Sequence, residues 1–188
     1  PASTYAAALL AVADVSGAGT RDVDRVYYSV SGPAGTVTYP AVDGKAWIPL
    51  PANGTYTIRA VAIDEAGNQA QASATVSVSA VNSVATVTYP AAEEAVNRTT
   101  VTLRGFVRFP AGGAGQVEVR VAGGATVLAT LDTPGAAFSA WSAEVTLPEG
   151  DGAKTVTVSP RQNGVSGALE TVHLNLDTTA PALAIATP

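Results

Sequence analysis

Residues 54–78 read GTYTIRAVAIDEAGNQAQASATVSV, and apolar residues recur there at every second position. A period of two belongs to a β-strand, whose successive side chains leave opposite faces. Tyr56, Ile58, Ala60 and Ala62 then share one face, while Thr57 and Arg59 share the other. Asp64-Glu65-Ala66-Gly67-Asn68 follows, with turn residues at both ends and a glycine where a positive φ is needed. On the return, Ala72, Ala74, Val76 and Val78 fall on one side. The segment is a hairpin of the kind that closes a β-sandwich, and the rest of the chain must fold around it.

The same period runs through the remainder, and helix signals are nearly absent. Residues 5–14 form a first strand region and residues 16–20 a loop. Val26, Tyr28 and Val30 alternate, residues 37–39 form a short strand, and Asp43-Gly44 is a hairpin signal. Residues 47–50 are another short strand. Residues 84–89 are stopped by Pro90. In residues 99–109, Val101, Leu103, Gly105 and Val107 share one face, and Arg104, Phe106 and Arg108 the other. Val117, Val119 and Val121 face inward. Residues 111–115 are a loop and residues 126–131 a strand. Trp141, Ala143, Val145 and Leu147 share a face. Residues 155–159 and 169–176 close the pattern around a loop at 160–167.

A length of 188 residues is long for one sandwich and right for two of ~90–100 residues each. Internal repetition supports two. Leu50-Pro51 recurs as Leu147-Pro148, a step of 97, and Thr88-Tyr89-Pro90 recurs as Ala186-Thr187-Pro188, a step of 98. The expected fold is therefore all-β: two tandem sandwiches of seven to nine strands, at 1–82 and 83–177. Residues 178–188 are the start of a following copy or a linker. Residues 81–84, which carry neither Gly nor Pro, join the two. Each core is expected to bury alternating Val, Leu and Ala with one Trp.

Composition excludes several roles. Only 13% of residues are charged, about half the usual ~25%. The net charge is −5 and the ten basic residues are scattered singly, so no stripe exists to neutralise phosphates and nucleic acid is not an expected partner. The chain has no cysteine, which removes disulfides, thiolate metal sites and cysteine nucleophiles. No apolar run approaches the ~18 residues of a membrane span. Residues 5–15 are too short for one and lack a basic leader. A chain that starts at Pro1 reads as a mature product or an excised fragment.

Leu50-Pro51-x-x-Gly54-x-Tyr56 resembles the tyrosine corner of immunoglobulin-like domains, in which a Tyr hydroxyl ties the approach to the sixth strand to nearby backbone. An ordinary core Tyr is the alternative. Ala62-Ile63-Asp64-Glu65-Ala66-Gly67-Asn68 and Asp177-Thr178-Thr179-Ala180-Pro181 resemble the bacterial immunoglobulin-like repeats found in tandem on large surface and secreted proteins. The second half departs from that pattern, because Ser159-Pro160-Arg161-Gln162-Asn163-Gly164 stands where the Asp turn should be. The resemblance implies a structural or adhesion module, a stalk or spacer outside the cytoplasm, without catalysis or cofactor. Its partners would be neighbouring repeats and a cell-surface or polysaccharide ligand.

No residue is assigned as catalytic, cofactor-binding or metal-ligating. Asp14 and Asp64 could serve calcium only with a preceding domain, since the loops at the joint between the halves contain no carboxylate, and the ion needs six to eight oxygens. Asp64 is read as a turn cap instead. His173, the single histidine, alternates onto the face opposite Val172, Leu174 and Leu176 and is read as a surface residue. Trp141 is read as core, while Trp47 stays open between core and a sugar-stacking surface. Lys154 and Lys45 are the only lysines, and Lys154 is read as solvated rather than welded to an Asn. Asn53 and Asn97 begin glycosylation triplets of a kind that arise often by chance.

Two further roles stay open. One is a carbohydrate-binding accessory module of a secreted enzyme. The other is a subunit of a polymeric assembly such as a surface layer or pilus, paired through strand edges. The first half is short at its start: a full copy of the second half's opening would begin before Pro1. A neighbour's Ala-rich segment could then complete it.

Overall fold

The computed structural model describes residues 2–4, 6–15, 23–110 and 114–182, the first three by backbone alone. The first half consists of β1 (Ala2–Thr4), β2 (Ala8–Val12), β3 (Val23–Gly32), β4 (Gly35–Pro40), β5 (Lys45–Pro49), β6 (Gly54–Asp64) and β7 (Gln69–Val78). Among the described residues, one sheet runs β1-β7-β6-β3-β4 and the other is the antiparallel pair β2-β5. The chain changes sheet between β2 and β3, between β4 and β5, and again between β5 and β6. This Greek-key order is that of an immunoglobulin-like sandwich.

The hairpin sits where its period placed it. β6 and β7 pair from Gly54↔Val78 to Ile63↔Gln69, and Gly67 takes a φ of 87° at the tip. Asp43 and Gly44 take φ values of 49° and 72° between the bridged residues Val42 and Lys45, a two-residue turn with both central φ positive. The Tyr28 hydroxyl donates to the Gly44 carbonyl at 2.6 Å and pins β3 to that turn. The tyrosine corner is present: the Tyr56 hydroxyl donates to the Ala52 carbonyl at 2.9 Å and accepts from the Ala52 N–H at 3.1 Å.

Two expectations for this half need correction. Its core is built from Tyr28, Val30, Ile48, Leu50, Tyr56, Ile58, Ala11 and Val78, without a tryptophan. Ile48 is fully buried, so its neighbour Trp47 faces the outer side of the narrow β2-β5 sheet, opposite exposed Leu10. Ala72 and Ala74 lie on the inner face of β7 but are exposed. A two-stranded sheet is too narrow to cover a five-stranded one.

The second half comprises β8 (Val84–Tyr89), β9 (Ala95–Val96), β10 (Thr100–Arg108), β11 (Gly115–Val121), β12 (Thr126–Leu128), β13 (Thr130–Leu131), β14 (Phe138–Thr146), β15 (Gly152–Gln162), β16 (Val165–Ser166) and β17 (Glu170–Leu176). Its sheets run β13-β14-β10-β8 and β12-β11-β15-β17-β9. The core between them contains Val101, Leu103, Val107, Val117, Val119, Val121, Trp141, Val156, Val158, Leu174 and Leu176, all at most 7% exposed. Trp141 is read correctly as core. Its ring lies over Gly105, where an added Cβ would come within 1.9 Å of the Thr86 carbonyl oxygen and 2.9 Å of the indole, and its Nε1 donates to the Phe106 carbonyl at 3.1 Å.

Residues 126–131 are not one strand. They switch sheets at Ala129, so that β12 pairs with β11 and β13 with β14. β15 runs on through the expected loop to Gln162 and turns at Asn163-Gly164, with φ values of 52° and 79°, into β16. That Asn-Gly pair is a hairpin signal, and it explains why the second half lacks the Asp turn. The loops expected at 16–20 and at 111–113 lie outside the described residues.

Candidate functional site

The joint between the halves is the most built feature of the surface. Ala7 from the first half and Ala80 and Val84 from the connection form a buried cluster, with Phe106 and Phe138 packed against it. The two phenyl rings are stacked with centroids 5.6 Å apart. Thr86, on β8, is 7% exposed and accepts the N–H of Ala7 at 3.0 Å and of Ala8 at 3.3 Å through Oγ1. A second-half hydroxyl thus satisfies two donors of the first.

The connection has little freedom. Val81 is 85% exposed, but Ser83 and Val84 are buried. The Ser83 carbonyl accepts from Ala168 N–H at 2.9 Å, and Val84 bridges Ala168 in parallel. Before it, the Asn53 amide brackets Ala80: Nδ2 donates to the Ala80 carbonyl at 2.9 Å, and the Ala80 N–H donates to Oδ1 at 3.0 Å.

The same device recurs 98 residues on. Asp151 takes the place of Asn53 and Thr178 that of Ala80. Asp151 accepts the Thr178 N–H at 2.8 Å and its hydroxyl at 2.7 Å, and the Thr179 hydroxyl at 2.5 Å. The Thr179 hydroxyl and the Thr178 donors bring the Asp151 carboxyl down to about 2. A turn residue therefore holds the departing chain at both exits.

Arg108, which by period shares a strand face with Arg104 and Phe106, lies at the joint. It is 3% exposed, and its guanidinium nitrogens have no hydrogen-bond acceptor among the described residues. Burial lowers its pKa, while Tyr56 opposes that shift. Sequence reasoning missed Arg108, Thr86, Ala7 and Phe138 as joint residues. The available signal was Phe106, an apolar residue on the face it shares with Arg104 and Arg108.

The residues singled out in the sequence are dispersed. Among the described residues no three His, Asp or Glu side chains gather where an ion could be held. Asp64 accepts the Asn68 N–H at 2.7 Å and the Asn68 side-chain amide at 2.8 Å, and these bonds lower its pKa. It is a turn cap. His173 is exposed, with Nδ1 3.2 Å from the Thr155 hydroxyl. Lys154 reaches the Glu149 carbonyl at 3.4 Å in an exposed setting, and Lys45 is exposed. Asn53 is occupied by its bracket, and Asn97 is exposed. An open polar groove of about 540 Å³ lies beside Asn97, lined by Tyr89, Arg98, Thr102 and Arg104; Tyr89 is 51% exposed on it.

No family profile matches the chain, and no curated protein matches it. Among solved structures, it is similar to the fibronectin(III)-like modules of Clostridium thermocellum CbhA, at 14% identity over 99% of this chain and 94% of that one, with a TM-score of 0.40. It is also similar to Bacteroides ovatus SGBP-B of a mixed-linkage glucan utilization locus, solved with a heptasaccharide, at 14% identity over 94% and 42% with a TM-score of 0.34. A two-domain fibronectin type III segment of chicken tenascin gives 13% identity over 81% and 84% with a TM-score of 0.28. At such identities and scores none of them assigns a family, a ligand or an activity, and the immunoglobulin-like fold rests on the sheet order above. No helix of the described residues is long and apolar enough to cross a membrane.

Proposed function

We propose that this chain is a non-catalytic spacer: two immunoglobulin-like repeats, at 1–82 and 83–177, holding a fixed mutual orientation, with 178–188 leading into a following unit. The observation that carries the reading is the repeated exit bracket, Asn53 on Ala80 and Asp151 on Thr178. A protein that must transmit position along a series needs each unit to aim the next, and a bracketed connection with buried Ser83 and Val84 does that better than a Gly/Ser linker. The working place would be outside the cell, on a surface or in a secreted protein, with neighbouring repeats as partners.

Small-angle scattering of the wild type and of an Asn53→Ala, Thr86→Val double variant tests this. A fixed joint gives one narrow distribution of interhalf distances in the wild type and a broad one in the variant. Equal breadth in both defeats the spacer role. A second reading is a polysaccharide contact along the Tyr89, Arg98 and Arg104 groove. Chemical-shift changes at those residues on adding a glucan or an anionic polysaccharide would establish it, and their absence would dismiss it.

A further inference from the structure

We infer that β4 is a self-pairing edge: two copies of this chain join antiparallel along Gly35–Tyr39, about a two-fold axis at Val37, and so continue one sheet into the other. The inference goes beyond the spacer role and neither needs it nor falls with it.

β4 is the outermost strand of the five-stranded sheet, and among the described residues no strand pairs with its outer side. Its register against β3 runs from Gly32↔Gly35 to Tyr27↔Pro40, and Ala41 N–H donates to the Val26 carbonyl at 3.0 Å. Alternate residues of an antiparallel strand turn their backbone groups to opposite sides. Val37 and Tyr39 therefore bond to β3, while the N–H and C=O groups of Thr36 and Thr38 point outward. Pro40 has no N–H to donate and ends the run. Gly35, Thr36, Val37 and Thr38 are exposed, Val37 by 51% although its β3 neighbour Val30 is buried.

The edges of the second half are closed to such pairing. β9, β12 and β13 run for only two, three and two residues. β12 lies beside β11 as β4 lies beside β3, but there the chain leaves the sheet at Ala129. On β8 the outward Val87 N–H is taken by the Glu170 carboxylate at 3.1 Å. Short edge strands and charges aimed at an edge prevent pairing between chains. β4 has neither protection: it is six residues long, and residues 26–42 carry no charged side chain.

The outward groups select a second copy as the occupant. With Val37 opposite Val37 of the second copy, Thr36 faces Thr38 on either side of the axis. Every outward N–H of the two threonines then meets an outward C=O. An axis at Thr38 would set Thr36 against Pro40, which returns no bond. The side chains fit the same register. Val37 meets its own counterpart at the close spacing of a non-hydrogen-bonded pair, and the threonines pair across the outer face. Tyr39 stands opposite Gly35, where an added Cβ would meet nothing within 4 Å, so the ring has room. A surface that complements itself in this way gives a closed two-fold pair. No charge is repelled or stripped of water in forming it.

The contact is small beside the ~1,200 Å² of a stable complex, so it is measured from about micromolar to about millimolar concentration. Sedimentation velocity of the 188-residue chain should show a reversible dimer. Amide exchange at Thr36 and Thr38 should slow as concentration rises. Val37→Lys sets like charges face to face and should weaken dimerisation at least about tenfold. Its thermal midpoint should stay put, because the side chain is half exposed. Mixing Val37→Lys with Val37→Glu chains should restore association as a one-to-one pair. Because the chain has no cysteine, Val37→Cys should oxidise to a symmetric dimer faster than Val165→Cys, which is 65% exposed on β16. The proposal is overturned by a wild type that stays monomeric throughout, or by association that Val37→Lys leaves intact. A Lys and Glu mixture no tighter than either chain alone, equal oxidation of the two Cys chains, or only irreversible aggregation would overturn it as well.

Discussion

Replacing Thr86 with Val removes the acceptor at the joint while leaving a side chain of nearly the same shape. Two donors lose their partner: Ala7 N–H at 3.0 Å and Ala8 N–H at 3.3 Å. Ala7 is 0% and Ala8 2% exposed, so water does not replace the hydroxyl while the halves stay docked. A buried donor without an acceptor costs about 1–3 kcal/mol. The shorter bond carries most of that and the longer one adds little, so the cost is about 2 kcal/mol in all. For a unit of ~90 residues this lowers the thermal midpoint by roughly 8–16 °C. Peptide-resolved hydrogen exchange separates the halves. Protection in β2, β5 and β6 should fall by about thirtyfold, the equivalent of that free energy, while β11 and β15 change little. Thr86→Ser keeps the oxygen and should restore most of the protection. If Thr86→Val alters protection in the first half by less than about 0.5 kcal/mol, the joint does not depend on these bonds and the account of it is wrong.

Other outcomes follow from single side chains. Arg108→Met should leave stability unchanged or raise it by about 1 kcal/mol or more, because a buried cation without an acceptor is exchanged for an apolar chain; a clear loss in urea titration would mean that the guanidinium has a partner. Gly105→Ala should cost more than about 3 kcal/mol, since its Cβ would meet the Thr86 carbonyl oxygen at 1.9 Å, and a soluble variant with the wild-type midpoint would refute that packing. The Asp151 carboxyl has a folded pKa of about 2, below the ordinary value of 3.8, so its bracket is complete above the ordinary value and is lost as pH falls through about 2. The Thr178 and Thr179 amide shifts should titrate there, and a midpoint near 3.8 would count against the bracket. Glu170 moves the other way: burial raises its pKa, while Val87 N–H at 3.1 Å partly offsets this. Its contribution is full below the ordinary value of 4.5 and lost as pH rises through the folded value. Glu170→Gln should therefore gain stability relative to the wild type at pH 7, and the gain should vanish on acidification.

Much of the architecture was legible because most strands, those of the second half above all, have one covered face. Val117, Val119 and Val121 were assigned inward from spacing, and Val101, Leu103 and Val107, and Trp141, Val145 and Leu147, were each placed on one shared face; all are buried. The hairpin tip at Gly67 and the Tyr56 corner were legible for a different reason: backbone sign and hydrogen-bond reach are local, spanning four residues in the corner. The places where the reading failed have a common cause. Arg108 lies on a strand face that the period identifies correctly, but whether a face meets solvent depends on what lies over it. Phe106, on the same strand face as Arg108, packs with Phe138 against Ala7, Ala80 and Val84, whereas no described strand covers Ala72 and Ala74.

Period, turn chemistry and the recurring step thus established from composition and order alone that this chain makes β-sandwiches in series, since those properties are written in neighbouring residues, while the immunoglobulin-like kind entered through the resemblance of the Tyr56 corner and the Asp64–Asn68 turn. The joint and the brackets at Asn53 and Asp151 emerged only on folding. Each depends on groups brought together from far along the chain, 27 positions apart for Asn53 and Ala80 and 79 for Ala7 and Thr86. Which groups meet across such distances is set by how sheets stack, and no pattern within a single strand encodes it.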